Sequence, residues 1–297
     1  MLEKFIWILR KYRTPYLFLL PTVVIVLGFL ISPVFSGIVM SLYKAKLTGE
    51  VTFVGFQNYT TFFGEARFHN NVQLTILYVV GNLLLSTPLA YLAAILITQK
   101  MRVTNFFRGI FLLPWITAPV VSSLLVLSLV DPVRGLATAV VHAIAGREVI
   151  ILADPVLSMA TVILHSFWRS FPFMMIFLGA GLASIPDELY EAAKVDGTNA
   201  WQRFWYLTFP LTRLHLAMVM LVISMWTMQD TETVYALTGG GPGYSTEVLA
   251  VRMLKDSFIN FNLYKGSVLG VLLILLTALF MFVYLRLVAG IGGGEDA

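Results

Sequence analysis

The stretch 267–288 reads SVLGVLLILLTALFMFVYLRLV and holds no charge before Arg286. A helix of roughly 20 apolar residues spans the hydrocarbon core of a bilayer, because it satisfies its backbone groups internally where no water can. Working outward, similar runs lie at 16–42, 72–98, 105–130, 156–181 and 213–236. The chain of 297 residues is 58% hydrophobic and only 12% charged, more apolar than a soluble core could hide. These runs predict an all-α integral membrane protein with six transmembrane helices. The first run is too long for the apolar region of a signal peptide. Its Pro21, Gly28 and Pro33 are tolerable in a membrane helix, so it is read as a span.

Six spans place both termini on one side of the membrane. Lys4, Arg10, Lys11 and Arg13 precede the first span, and Lys100, Arg102 and Arg108 crowd the short second connection. With Lys194, Arg203, Arg213 and Arg286 they outnumber the basic residues of the opposite side, Lys44, Lys46, Arg67, Arg134, Arg147, Arg252, Lys255 and Lys265. Excess Lys and Arg in short loops marks the cytoplasmic face. The expected layout is a cytoplasmic N-terminus at 1–15, a transmembrane domain at 16–288 and a cytoplasmic C-terminal tail at 289–297.

Several function classes are set aside at this stage. The net charge of +4 is accounted for by basic residues flanking spans, with no basic patch interleaved with aromatics in a soluble stretch. Nucleic acid is therefore not an expected partner, whereas the lipid bilayer is. With no cysteine there is no disulfide framework, thiolate metal site or cysteine nucleophile. His69, His142, His165 and His215 are dispersed without metal-ligand spacing, so no metal site and no catalytic constellation are expected. No G-x-x-x-x-G-K-[ST] run occurs that would cradle a nucleotide by a P-loop.

Between the spans, the external segments near 43–71, 131–155 and 237–266 read as turns and short helices. The cytoplasmic stretch 184–212 differs. Pro186-Asp187-Glu188 starts a helix, with proline in the first turn and acids at the positive end of the dipole. Gly197 ends it, and a second short helix is expected from Asn199 to Leu207, stopped by Pro210. Glu191-Ala192-Ala193 lies on the first helix, where two alanines let another surface approach the backbone closely beside a fixed anion. An amphipathic helix lying at headgroup level fits these features as well as a docking helix does.

The run Glu191-Ala192-Ala193-Lys194-Val195-Asp196-Gly197, followed by Phe204, Leu207 and Pro210, resembles the loop named for its E-A-A in the permeases of bacterial ABC importers. That resemblance implies that Glu191, Ala192, Ala193, Asp196 and Gly197 couple to an ATP-binding subunit. Thr198 stands where the family has alanine after the glycine, and Phe209 where it has leucine before the last proline. Thr238-Gly239-Gly240-Gly241-Pro242 with Thr246 is similar to an external loop of carbohydrate-uptake permeases of the maltose and glycerol-phosphate type. Phe53-Val54-Gly55-Phe56-Gln57-Asn58-Tyr59, Phe107-Arg108 and Leu113-Pro114 resemble the same group, from about residue 16 to 288. The tryptophan and asparagine often seen near the end of span three are missing from Leu127–Ala139.

A charged side chain in mid-membrane costs roughly 2.5–3.5 kcal/mol on insertion scales, so it asks for a partner or a wet cavity. Span four carries His165, Ser166, Arg169 and Ser170, and span five carries Trp226, Thr227, Gln229, Asp230 and Glu232. A sugar needs donors and acceptors beside an aromatic face that covers its C–H side. Trp226 with Asp230 four residues on, expected on one helical face, meets that need. Pairing of Arg169 with Asp230 is the plainer alternative, as is a helix-to-helix hydrogen bond for His165. By alignment with the maltose-type permeases, the resemblance implies a sugar path lined by Ser166, Arg169, Ser170, Phe173, Trp226, Thr227 and Asp230. Trp7, Trp115 and Trp201 are read as interfacial anchors.

The resemblance implies a non-catalytic subunit that forms the path for a sugar or oligosaccharide in the cytoplasmic membrane of a bacterium or archaeon. Its implied partners are a second homologous permease, forming a heterodimer, two copies of an ATP-binding subunit carrying ATP and Mg, and an extracytoplasmic solute-binding protein. That protein would meet the loop of Gly239, Gly240, Gly241 and Pro242. An anionic solute, such as a glycerol phosphate or acidic oligosaccharide, suits Arg169 within the same architecture. A secondary transporter is the rival from another class, but it would need internal repeats and broken ion-binding helices, and no repeat between halves is visible.

Overall fold

The computed structural model describes residues 13–45, 50–98 and 104–292. Lys4, Arg10, Lys11, Lys46, Lys100 and Arg102, on which much of the orientation argument rests, lie outside the described residues, as do Trp7 and most of the 1–15 segment. The helices and strands run in the order α1 (Arg13–Ile25), α2 (Ser32–Ser41), β1 (Tyr43–Ala45), β2 (Val51–Phe53), α3 (Gln57–Phe63), α4 (Ala66–Thr98), α5 (Thr104–Ile116), α6 (Pro119–Leu129), α7 (Leu136–Ala145), α8 (Pro155–Ala183), α9 (Asp187–Val195), α10 (Ala200–Arg203), α11 (Phe209–Met228), α12 (Glu232–Thr238), α13 (Leu249–Leu254) and α14 (Leu263–Gly292). Five helices among the described residues are long and apolar enough to cross a membrane. The number is six if Gly109–Ile116 and Pro119–Leu129, bent by 101°, form one broken span.

These elements fall in two compact units, one within Met1–Gly64 and Lys255–Leu272, the other within Glu65–Leu254 and Leu273–Ala297. In the first, α1 passes through a π-turn at Val26–Ile31 into α2. The segment that follows is not turns and short helices alone. β1 and β2 pair antiparallel with Tyr43 opposite Phe53, and α3 follows the pair. Asn58 Nδ2 donates to the carbonyl oxygens of Ser41 and Tyr43 at 2.9 and 2.8 Å, which fixes α3 against the end of α2.

The second unit is organised around α4, α8 and α11. Alanines on α4 (Ala90, Ala93, Ala94) pack against Met174, Met175 and Leu178 of α8 and Val219 and Ile223 of α11, all buried. Gly81 of α4 lies so close to α8 that a Cβ there would meet Ile163 Cδ1 at 2.8 Å. Asp154 starts α8, its Oδ1 accepting from the N–H groups of Val156 and Leu157 at 2.9 Å, with Pro155 in the first turn.

Three expectations need correction. The run 105–130 is not one straight helix, because Ala118 precedes Pro119 and takes the extended conformation (φ −56°, ψ 138°) that proline imposes on its neighbour. Pro210 does not stop the helix that begins after Asn199. A π-turn at Phe204–Thr208 precedes it, so the missing proline N–H is absorbed and Ala200–Met228 continues as one span. The run expected at 213–236 therefore ends at Met228, and 232–238 forms the separate helix α12.

Candidate functional site

α8 and α11 bring polar side chains to a cavity of about 440 Å³. Ser166, Arg169 and Ser170 line it from α8, and Ile223, Trp226 and Thr227 from α11. Gln229, Asp230, Thr231 and Glu232 line it from the break between α11 and α12. Asp230 is thus not on the helical face of Trp226, since α11 has already ended. It stands before α12, where its Oδ1 accepts from the Thr233 N–H at 3.0 Å. Asp230 nevertheless lines the same cavity as Trp226, from the break and not from the helix.

The aromatic side of the site is larger than expected. Trp226, about half exposed, lies with its ring centroid 4.8 Å from that of Phe173, which lies 5.6 Å from Trp115. Phe173 stands behind Trp226, while Trp115, read above as an interfacial anchor, lines the cavity together with Pro119 at the bend between α5 and α6. No Arg169–Asp230 ion pair forms among the described residues. Arg169 Nη1 reaches Thr233 Oγ1 at 3.5 Å, and its Nε has no partner. His165 does not line this cavity; its Nε2 meets Ser122 Oγ at 2.9 Å, a bond between α8 and α6.

Sequence reasoning missed the polar support behind the cavity wall, which comes from α4. Tyr78, Asn82 and Ser86 follow one another at four-residue spacing on one stripe of α4, all fully buried. Tyr78 donates to Asp230 Oδ2 at 2.7 Å, and Asn82 Nδ2 donates to Thr227 Oγ1 at 2.8 Å. A signal was present, since Asn71, Thr75, Tyr78, Asn82 and Ser86 recur with helical period in an otherwise apolar run.

α9 carries the E-A-A residues between the ends of α8 and α10. It has no buried residue; Glu191, Ala192, Asp196 and Gly197 are exposed and Ala193 is partly so. Gly197 takes φ +75°, the left-handed cap conformation, and Asn199 with Gln202 forms a capping box that starts α10. The elbow is tied together by Tyr190 Oη meeting Thr208 Oγ1 at 3.0 Å and by Arg203 donating to the Thr198 carbonyl.

The glycine loop after α12 is equally ordered. Thr238 Oγ1 lies 2.7 Å from Thr246 Oγ1, and Thr246 also donates to the Gly241 carbonyl at 2.8 Å. Gly239 and Gly240 have φ +57° and +88°, and the Gly241–Pro242 bond is cis. A Cβ on Gly240 would meet Glu247 Cβ at 3.1 Å, so only glycine suits this position. Among the described residues no group of three His, Cys, Asp or Glu could hold a metal ion.

A multi-pass bundle with a polar cavity between spans and an exposed helix between two of them defines a transport protein of the membrane. The family described as "Binding-protein-dependent transport system inner membrane component" matches residues 61–292, and the chain belongs to it. It is a permease subunit of an ABC importer and not an enzyme; the ATPase is a separate subunit. Over 269 residues it is 30% identical to the sn-glycerol-3-phosphate transport system permease protein UgpA of Rhizobium meliloti, covering 87% of this chain and 89% of that one. It is 28% identical over 279 residues to the trehalose/maltose transport system permease protein MalF of Thermococcus litoralis, covering 93% and 94%. Its fold is similar to a subunit of a bacterial ABC transporter for the acidic polysaccharide alginate, with TM-score 0.82 at 21% identity, covering 96% of this chain and 98% of that one.

Proposed function

We propose that this subunit forms the path for a sugar or other polyhydroxylated solute through six spans, counting the bent pair as one, with both termini cytoplasmic. The cavity that carries the reading sets Ser166, Ser170, Thr227 and Asp230 beside the Trp226 face, the pairing of polar groups and aromatic surface that a sugar requires. α9, which has no buried residue, supports docking of the ATP-binding subunit through Glu191, Ala192, Ala193, Asp196 and Gly197. Phe173 braces Trp226 from behind. A second permease subunit pairs with this one, two ATP-binding subunits carry ATP and Mg, and an extracytoplasmic binding protein delivers solute at Gly239, Gly240, Gly241 and Pro242. The setting is the cytoplasmic membrane of a bacterium or archaeon.

One observation favours an anionic solute within the same architecture: Arg169 lines the cavity with no carboxylate in ion-pair range among the described residues. Named relatives take both kinds, trehalose or maltose in one and glycerol phosphate in another. The test is ATP hydrolysis and uptake by the reconstituted complex with its binding protein, offered maltose, trehalose and sn-glycerol 3-phosphate. Solute-dependent stimulation by one of them is expected. ATP-independent uptake by this chain alone would contradict the reading.

A further inference from the structure

The polar wall of the cavity is held from behind by α4 in one hydrogen-bonding sense. The Thr227 hydroxyl gives its proton to the Ile223 carbonyl at 2.8 Å, so towards Asn82 it can only accept. Asn82 Nδ2 therefore faces Thr227, and its Oδ1 faces the hydroxyls of Ser86 and Ser170, each at 2.8 Å. Ser170 has a second internal acceptor in the Ser166 carbonyl, also at 2.8 Å. Every hydroxyl carries one proton, and each of these protons has an acceptor inside the protein. The Asp230 carboxylate receives Tyr78 on Oδ2 and the Thr233 N–H on Oδ1, and it has only lone pairs to offer.

We propose that Asn82 and Tyr78 are positioning residues that hold Thr227, Ser170 and Asp230 in place while the Ile223 and Ser166 carbonyls and the Asn82 amide oxygen take the hydroxyl protons, so that this wall presents acceptors and selects solutes by the hydroxyl protons they donate. The inference rests on the importer reading of the same cavity and adds a rule of specificity to it. A solute hydroxyl facing this wall must be the donor. Converting that hydroxyl to a methyl ether keeps its oxygen as an acceptor but removes the proton. At this wall the ether is therefore as poor a ligand as the deoxy compound, because the oxygen it retains meets another acceptor. Complementary donors to the solute sit on Arg169 and Gln229.

The test uses the complete reconstituted importer with its binding protein and radiolabelled maltose, trehalose and sn-glycerol 3-phosphate. For the probe that is taken up, its mono-O-methyl and monodeoxy analogues are compared at each hydroxyl, in wild type, Asn82→Leu and Tyr78→Phe. In wild type at least one O-methyl analogue is expected to be rejected as strongly as the matching deoxy analogue. In the variants the ratio of parent to O-methyl uptake at that hydroxyl is expected to narrow roughly tenfold, the worth of one hydrogen bond. A purely structural loss would lower both rates and leave that ratio unchanged. Tyr78→Phe keeps the ring and its packing, and it carries the test where Asn82→Leu fails to assemble. Uptake with an unchanged ratio in the assembled variants overturns the positioning role. A wild type that accepts every O-methyl analogue while rejecting the deoxy ones overturns the acceptor wall. No uptake of any of the three probes by wild type overturns the reading of this cavity as their path, and this inference with it.

Discussion

Arg67 and Glu247, 180 residues apart in sequence, meet through two parallel bonds of 2.8 Å, Nε to Oε2 and Nη2 to Oε1. Glu247 has no exposed surface and also accepts from Asn71, while Arg252 donates to both Asn71 and Glu65. The Arg67 guanidinium lies 4.0 Å from the centre of the Tyr244 ring. The glycine loop is thus anchored to the start of α4 through a buried charge. Arg67 keeps 32% of its side chain in solvent, so Glu247→Ala is expected to destabilise the protein by about 1–3 kcal/mol, mainly by leaving the buried Asn71 amide without its side-chain acceptor. Thermal melting of the detergent-solubilised complex reads this, and an unchanged midpoint would contradict it.

Asp230→Ala removes the carboxylate that lines the cavity and leaves the buried Tyr78 hydroxyl without its acceptor. Assembly is expected to survive, with a loss of about 1–3 kcal/mol for the unpaired group. Solute uptake is expected to fall while the subunits still co-purify. Wild-type uptake would refute the lining role of Asp230.

Arg169→Gln separates the two solute classes. If the solute is anionic, the variant loses a charged hydrogen bond, and uptake should drop by roughly one to two orders of magnitude. For a neutral sugar the loss is tenfold or less, since the amide still donates. The measurement is initial uptake rate with maltose and with sn-glycerol 3-phosphate in parallel.

Gly197→Ala places a Cβ at φ +75°, where the first elbow helix closes. A strain of roughly 1–2 kcal/mol is expected. The nearby space is open, so the change strains the backbone without a clash. Hydrogen exchange at α9 should quicken, and solute-stimulated ATP hydrolysis should fall. Unaltered exchange would show that the cap is not what orders the elbow.

The spans were legible because an apolar run of bilayer length has few alternatives, and the first elbow helix because Pro186 and Gly197 punctuate it. Proline misled twice in opposite directions. Pro210 reads as a stop, yet the π-turn before it keeps the helix running; Pro119 sits inside an apolar run that reads as continuous, yet Ala118 before it is extended and the run bends by 101°. Which outcome follows depends on whether packing supplies a wider turn, and that is not written locally. Asp230 was expected to share a face with Trp226 by helical spacing, and the end of α11 defeated that geometry while keeping both at the cavity. The buried stripe Tyr78, Asn82 and Ser86 was passed over because its neighbours are apolar, although polar residues at four-residue spacing in a span ask for partners.

We propose that α9 transmits the motion of an ATPase to α8 and α11, the two spans that line the cavity. Glu191→Lys reverses the charge of an exposed residue that has no packing to lose, and it tests the claim most directly. Co-purification of the ATP-binding subunit and solute-stimulated ATP hydrolysis are measured together with thermal melting. An unchanged melting midpoint with lost or uncoupled hydrolysis is expected. Normal co-purification with normal transport would contradict it.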